Sequence, residues 1–207
     1  KSKKKNFSNF NFQKIPNIMG VLNLTPDSFS DGGKYNSKKK GIDHALKLYQ
    51  SGVKIIDVGG ESTRPGSKEI NKDTEWNRIK RIINFLSKKI PLSLDTRKSE
   101  IMEKGIKCGV QLINDVSGLS YDDETLKILK KYKIPFVIQH SKGTPENMQN
   151  NPNYKNDLLD IYDFFEKKIK LLRSIGIKHS NIIIDPGIGF GKNLKHNMNI
   201  ISNISIF

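Results

Sequence analysis

The chain has 207 residues, 35% of them hydrophobic, with 36 Lys and Arg against 21 Asp and Glu and a formal net charge of +15. That length supports one domain with a substantial core; no apolar run is long enough for a membrane span, and the basic start Lys1–Lys5 is not followed by the apolar stretch of a secretory signal. A lone Cys108 leaves no internal disulfide and fits a reducing, cytoplasmic setting, and the His residues lack zinc-ligand spacing. Lysine supplies nearly all of the positive charge and is scattered over the helical surfaces. With no aromatic interleaving and no docking motif, the basic balance reads as a solvated surface rather than a nucleic-acid site.

In chain order, residues 1–14 read as a basic N-terminal extension and 15–207 as a single domain. The apolar run Ile18–Leu24 opens the domain and leads through a polar loop, Thr25–Ser37, into a helical stretch at 39–50. Ile55–Val58 and a glycine-bearing loop precede a helix over 73–88. Pro91–Leu94, Val110–Ile113, Pro135–Ile138 and Ile182–Ile184 follow, with helices over 98–107, 123–132, 154–175 and 194–206. The runs are short and largely non-alternating, as strands buried on both faces should be. Asp73 and Asp122 are expected as N-caps, Gly52 and Gly176 as helix stops.

Such regular alternation of β and α predicts a parallel sheet. A doubly wound dinucleotide domain would carry a Gly-rich turn after its first strand, and none is present. Instead each strand ends on polar chemistry: Asn23, Asp57 to Glu61, Asp95, Asn114 with Asp115, His140 and Asp185. Residues of that kind at successive strand ends predict an α/β fold of the (β/α)8 TIM-barrel class, with six of eight βα units present. The missing units and the apolar end Ile204–Phe207 lead to the expectation of a fragment, incomplete at the C-terminus.

The loop Asn23-Leu24-Thr25-Pro26-Asp27-Ser28-Phe29-Ser30-Asp31-Gly32-Gly33 and the loop Asp57-Val58-Gly59-Gly60-Glu61-Ser62-Thr63-Arg64-Pro65-Gly66-Ser67 stand out. Leu94-Asp95-Thr96, Ile113-Asn114-Asp115-Val116-Ser117-Gly118, Gly143-Thr144-Pro145 with Met148-Gln149, and Asp185-Pro186-Gly187-Ile188-Gly189-Phe190-Gly191-Lys192-Asn193 follow in order. Together they resemble the signature motifs of the dihydropteroate synthases, a pterin-binding TIM-barrel family, from about residue 15 to the end.

A pterin ring presents an amino-pyrimidinone edge, which carboxylates can accept from and a carboxamide can both donate to and accept from. The resemblance implies that Asp95, Asn114 and Asp185 form the catalytic set and hold this ring, with Phe190 flanking it. Each Asp could alone be a helix N-cap, but three at strand ends favour a site. Asn23 is implied as the ligand of Mg²⁺, a cation commonly held by few protein groups plus substrate phosphates; a turn residue before Thr25-Pro26 is the competing reading. Thr63 and Arg64 are implied to close over the diphosphate and the aminobenzoate, Arg64 offering a planar fork for either anion. Phe29 either packs on the barrel or contacts the flat aminobenzoate.

His140 is the obvious general-base candidate by residue type, yet the reaction requires no strong base and a structural role is favoured. Around it the chain departs from the family, with Gln139, Ser141 and Lys142 where Met, Met and Gln are usual, so this pocket wall is expected to be more polar. The partners implied are the pterin diphosphate and 4-aminobenzoate, with no nucleic acid and no membrane, in a cytoplasmic transferase of folate biosynthesis that is a homodimer when full length. The family's late Lys loop and Arg-x-His motif are not in the sequence, so the expectation is that this fragment alone is inactive. A pterin-binding methyltransferase, which would not need the Thr63-Arg64 loop, or a non-catalytic pterin-binding relic, is the alternative.

Overall fold

The computed structural model describes residues 17–25, 33–64, 66–149 and 152–207, which leaves the N-terminal extension 1–14 and Phe29 outside the described residues. Six strands alternate with six α-helices: β1 Met19–Asn23, α1 Gly33–Gln50, β2 Ile55–Gly59, α2 Lys72–Leu86, β3 Leu92–Asp95, α3 Ser99–Lys107, β4 Leu112–Asp115, α4 Thr125–Tyr132, β5 Phe136–Gln139, α5 Asp157–Ser174, β6 Ile182–Asp185 and α6 Leu194–Ser202. The strands follow chain order in one six-stranded sheet, and β1–β2, β2–β3 and β5–β6 pair in parallel. Strands β3 to β6 each reach past the apolar run that announces them and include the polar residue that follows it, whereas β1 ends at Asn23 within its run and β2 ends on Gly59. The helix expected over 194–206 stops at Ser202 and continues as a short 3-10 turn, Ile204–Ile206.

The chain divides into two compact units. The first comprises Lys1–Glu61, Ile70–Thr96 and Glu100–Ile113; the second comprises Ser62–Glu69, Arg97–Ser99 and Asn114–Phe207.

In the first unit, β2 is buried along its whole length, as a strand covered on both faces should be. Helix α2 turns Ile79, Ile82, Ile83 and Leu86 inward at helical spacing. Its N-cap is Asn71, whose Oδ1 accepts from Thr74 N–H at 2.8 Å. Asp73, expected as the cap, lies instead in the first turn beside Glu75, where a carboxylate meets the positive end of the helix dipole. The only tryptophan, Trp76, sits half-buried on the same helix, with Lys104 Nζ 6.0 Å from its ring centroid.

In the second unit, Ile161 and Phe165 of α5 pack with Ile200 of α6, and Tyr154, Phe164, Ile184 and Phe207 close around them. Asn156 caps α5 through Leu159 N–H, and after the C-cap Ile175 the chain turns at Gly176, φ +89°, with Ile177 N–H reaching back to Leu172 O at 3.1 Å. Asp122 is not the cap of α4, which starts at Thr125 after Glu124. Its two oxygens accept from Ser99 N–H and Glu124 N–H at 2.9 and 3.0 Å. Among the described residues no helix is long and apolar enough to cross a membrane.

Candidate functional site

Three strand ends of the first unit form one rung. Asn23, Gly59 and Asp95 are register partners across β1, β2 and β3. A Cβ on Gly59 would lie 3.2 Å from Asn23 Oδ1 and 3.2 Å from Asp95 Oδ2. Two half-buried oxygens therefore converge above a residue with no side chain, and a small polar recess is left between them. The backbone beyond the strand ends is fixed from below. Thr96 Oγ1 donates to the buried Glu75 Oε1 at 2.5 Å, and Arg78 Nη1 donates to Gly60 O at 2.9 Å. Among the described residues no cluster of three His, Cys, Asp or Glu side chains could cage a metal. One carboxamide and one carboxylate oxygen suit, of the metal ions, a hard cation that takes most of its ligands from water and substrate, as Mg²⁺ does.

In the second unit, β4 ends on Asn114 and Asp115, which alternation sends to opposite faces of the sheet. Asp115 is buried and accepts from Ser117 N–H, Ser117 Oγ and Leu119 N–H at 2.8, 2.6 and 2.9 Å. Burial pushes its carboxyl above the usual range, and those bonds pull it back. Its task is to hold the loop after β4, where Leu119 adopts φ +66°; Asn114 beside it is half-buried.

The ends of β5 and β6 are joined tightly. Gln139 and Asp185 are register partners, and His140 N–H donates to Asp185 O at 2.8 Å. Asp185 Oδ1 accepts from Gly187 N–H at 2.8 Å. A Cβ on Gly187 would collide with the His140 carbonyl oxygen, so only glycine allows this approach. Phe190, half-buried, donates its N–H to Gly187 O at 3.0 Å.

Lys192, 2% exposed, seals the arrangement. Its Nζ donates to Phe190 O at 2.9 Å and to His140 O at 3.2 Å, and it lies 3.0 Å from His140 Nδ1. Burial drives His140 down to about 3, and the Lys192 charge pushes it the same way. Burial also lowers Lys192 to about 8, opposed by Asp185. At neutral pH an ammonium therefore faces a neutral imidazole, so Nδ1 accepts and the proton sits on Nε2. A histidine held this far from neutrality is no general base poised for pH 7.

Thr63 and Arg64 lie in the loop between Glu61 and Ile70. Glu61 Oε1 accepts from Ile70 N–H at 2.9 Å and closes the loop at its base. Within the loop, Ser67 Oγ donates to Ser62 O at 2.7 Å and Ser67 N–H to Arg64 O at 3.0 Å. Gly66 N–H reaches Pro145 O at 2.8 Å. Glu69 takes the Tyr121 hydroxyl and an ion pair with Arg97 at 3.6 Å, while the Arg97 guanidinium lies 4.2 Å from the Tyr121 ring centroid. Thr63 is half-buried and Arg64 exposed, beside a polar cavity of about 90 Å³ lined by Ser62, Ser67, Lys68, Arg97 and Thr144 among others.

Of the residues singled out from the sequence, Asn23 and Asp95 come together over Gly59, and Asp185 and Phe190 share the loop that Lys192 ties down. Asn114 closes β4, and Thr63 and Arg64 stand in a tethered loop. Gly59 and Lys192 acquire roles that the sequence reading did not assign. Gly59 stood in a quoted motif, but a recess is visible only once two strand registers are known. Lys192 is one of many lysines, and nothing in its type marks it as the buried one.

A family model described as "Pterin binding enzyme" matches residues 19–207. The dihydropteroate synthase of Clostridium beijerinckii is 40% identical over 197 residues, covering 94% of this chain and 71% of the relative. This chain belongs to the pterin-binding enzymes, among the dihydropteroate synthases. The dihydropteroate synthase of Synechocystis is 37% identical over 197 residues, with 94% of this chain and 68% of the relative covered. Among solved dihydropteroate synthases, that of Clostridium difficile in the presence of pteroic acid aligns with a TM-score of 0.86 at 39% identity, over 94% of this chain and 73% of that one. The Xanthomonas albilineans enzyme with 4-aminobenzoic acid gives 0.85 at 33%, over 92% and 68%. Six parallel strands alternating with helices agree with the TIM barrels of these synthases, and the chain spans about two thirds to three quarters of their length.

Proposed function

We propose that the protein condenses 6-hydroxymethyl-7,8-dihydropterin diphosphate with 4-aminobenzoate to give 7,8-dihydropteroate and diphosphate. The observation that carries this reading is the rung Asn23–Gly59–Asp95, found in a chain that aligns over 94% of its length with dihydropteroate synthases. Asp95, Asn114 and Asp185 accept from and donate to the amino-pyrimidinone edge, and Phe190 flanks the ring. Thr63 and Arg64 close on the diphosphate and the aminobenzoate.

In the reaction the exocyclic carbon–oxygen bond breaks and its electron pair leaves with the diphosphate. The lone pair of the aminobenzoate nitrogen forms the new carbon–nitrogen bond, and the proton released from that nitrogen goes to solvent. Carboxylates beneath the pterin favour the positive charge that develops on it, while Arg64 and Thr63 favour the negative charge on the departing group. Holding both substrates in line removes the entropy of their encounter. Asn23 Oδ1, at the mouth of the Gly59 recess, is the residue that would hold Mg²⁺ together with the substrate's diphosphate, where the ion would supply charge neutralisation. The same reading carries a cytoplasmic setting and a homodimeric assembly, which sedimentation equilibrium would measure.

The test is product formation from the pterin diphosphate and labelled 4-aminobenzoate by the full-length protein. Release of diphosphate should require both substrates and fall when Mg²⁺ is chelated. Asp95→Asn should lower kcat/KM by about 10²-fold. A purified, folded protein that makes no dihydropteroate overturns the reading.

A further inference from the structure

The end of β5 holds a polar group that no described residue satisfies. Gln139 is 4% exposed, and its Nε2 has no hydrogen-bond partner among the described residues. A buried amide left in that state costs folding free energy, and native structures keep such groups chiefly where something absent from the folded chain completes them. Gln139 is also the register partner of Asp185 across β5 and β6. Register partners in a parallel pair project to the same face about 4.8 Å apart, so the amide and the carboxylate present themselves side by side. The Gly187 backbone packs closely beside Gln139, since a Cβ there would come 3.3 Å from Gln139 Cγ.

The pterin edge carries matching groups in a row: the exocyclic amino N–H, the ring N–H, and then the carbonyl oxygen of the pyrimidinone. A carboxylate takes the two N–H donors and can do nothing for the carbonyl. An amide donor one strand away can. We propose that Gln139 is a specificity-determining residue of the pterin pocket, its side-chain N–H donating to the pyrimidinone carbonyl oxygen while Asp185 accepts from the adjacent ring N–H. The assignment rests on the pterin reading given above, and it makes this wall selective for a 4-oxo ring over a 4-amino ring, which places a donor where the oxygen was.

Two ligands without diphosphate separate the possibilities by calorimetry on the full-length protein: 6-hydroxymethylpterin and its 4-amino analogue. The unaltered protein should bind the 4-oxo compound about tenfold more tightly, the worth of one buried hydrogen bond. In Gln139→Met that preference should vanish and the KM for the pterin substrate should rise about tenfold. The KM for aminobenzoate should stay within about twofold, and Tm should hold or rise because an unsatisfied buried group has been removed. A purely structural glutamine would show the reverse, a lower Tm with unchanged pterin affinity, and that result overturns the proposal. If Gln139→Met does not fold, the unaltered protein decides: equal affinity for the two rings overturns the proposal, and a tenfold preference upholds it. Failure of the unaltered protein to bind either ring would instead bring down the pterin reading itself.

Discussion

At His140 and Lys192 burial acts on two basic groups at once, lowering both, and their titration makes the effect measurable. His140 is held down at about 3, largely by burial, against about 6.5 in an unfolded chain. The unfolded state therefore binds the extra proton first. The contribution of a neutral His140 to stability is complete above about pH 6.5 and is lost progressively as the pH falls toward 3. Denaturation by urea between pH 7 and 4 should show this slope, and His140→Asn, which keeps an acceptor for Lys192, should flatten it. Lys192, lowered to about 8, works at the other end, where stability should rise with pH between about 8 and 10.4. Gly59 permits a sharper test of the rung. Gly59→Ala places a methyl 3.2 Å from both Asn23 Oδ1 and Asp95 Oδ2, so the loss should fall on substrate affinity, about tenfold in pterin KM, while the urea midpoint moves little.

Elements were legible where periodicity and chemistry spoke together. The apolar runs located every strand, but β3 to β6 extend to the polar residues that follow them, because the ladder needs only backbone groups and takes in Asp95, Asp115, Gln139 and Asp185 regardless of polarity. The N-terminus of α2 was misplaced for a related reason. Asn71 and Asp73 are both good cap types, and choosing between them depends on which one stays extended, as Asn71 does at φ −70° and ψ 159°. Asp122 shows the limit of local reading, since it serves Ser99, which is remote in sequence. The loop bearing Thr63 and Arg64 was legible as a motif, whereas its closure at the base was not, because Glu61 and Ile70 are nine residues apart. Glu61→Ala removes that closure. Trypsin should then cut after Lys68 several-fold faster than in the unaltered protein, followed by gel electrophoresis at constant enzyme ratio.

Taken whole, the molecule carries far more positive than negative charge, and several of its ion pairs lie on helix surfaces, as in Lys104–Glu100 and Lys170–Glu166. Pairs of that kind are worth only ~0.3–0.5 kcal/mol each. A net charge of +15 repels itself over the whole surface, so screening should relieve more than it removes. Raising NaCl from about 20 to about 300 mM should lift Tm by roughly 2–4 °C; a fall would mean that the surface pairs dominate. The barrel class was legible at this scale because alternation and strand-end polarity recur along the whole chain, and the match with the dihydropteroate synthases agrees with it. The division into two units was not legible, since it follows contacts between distant segments. Trp76 gives the first unit something else. It stands one residue beyond Glu75, whose carboxylate holds Thr96 next to Asp95, and no second indole competes with its light. Its fluorescence overlaps the absorption band of a pterin, so a ring settling over Asp95 would dim it by energy transfer, and the chain carries its own unlabelled optical gauge of occupancy.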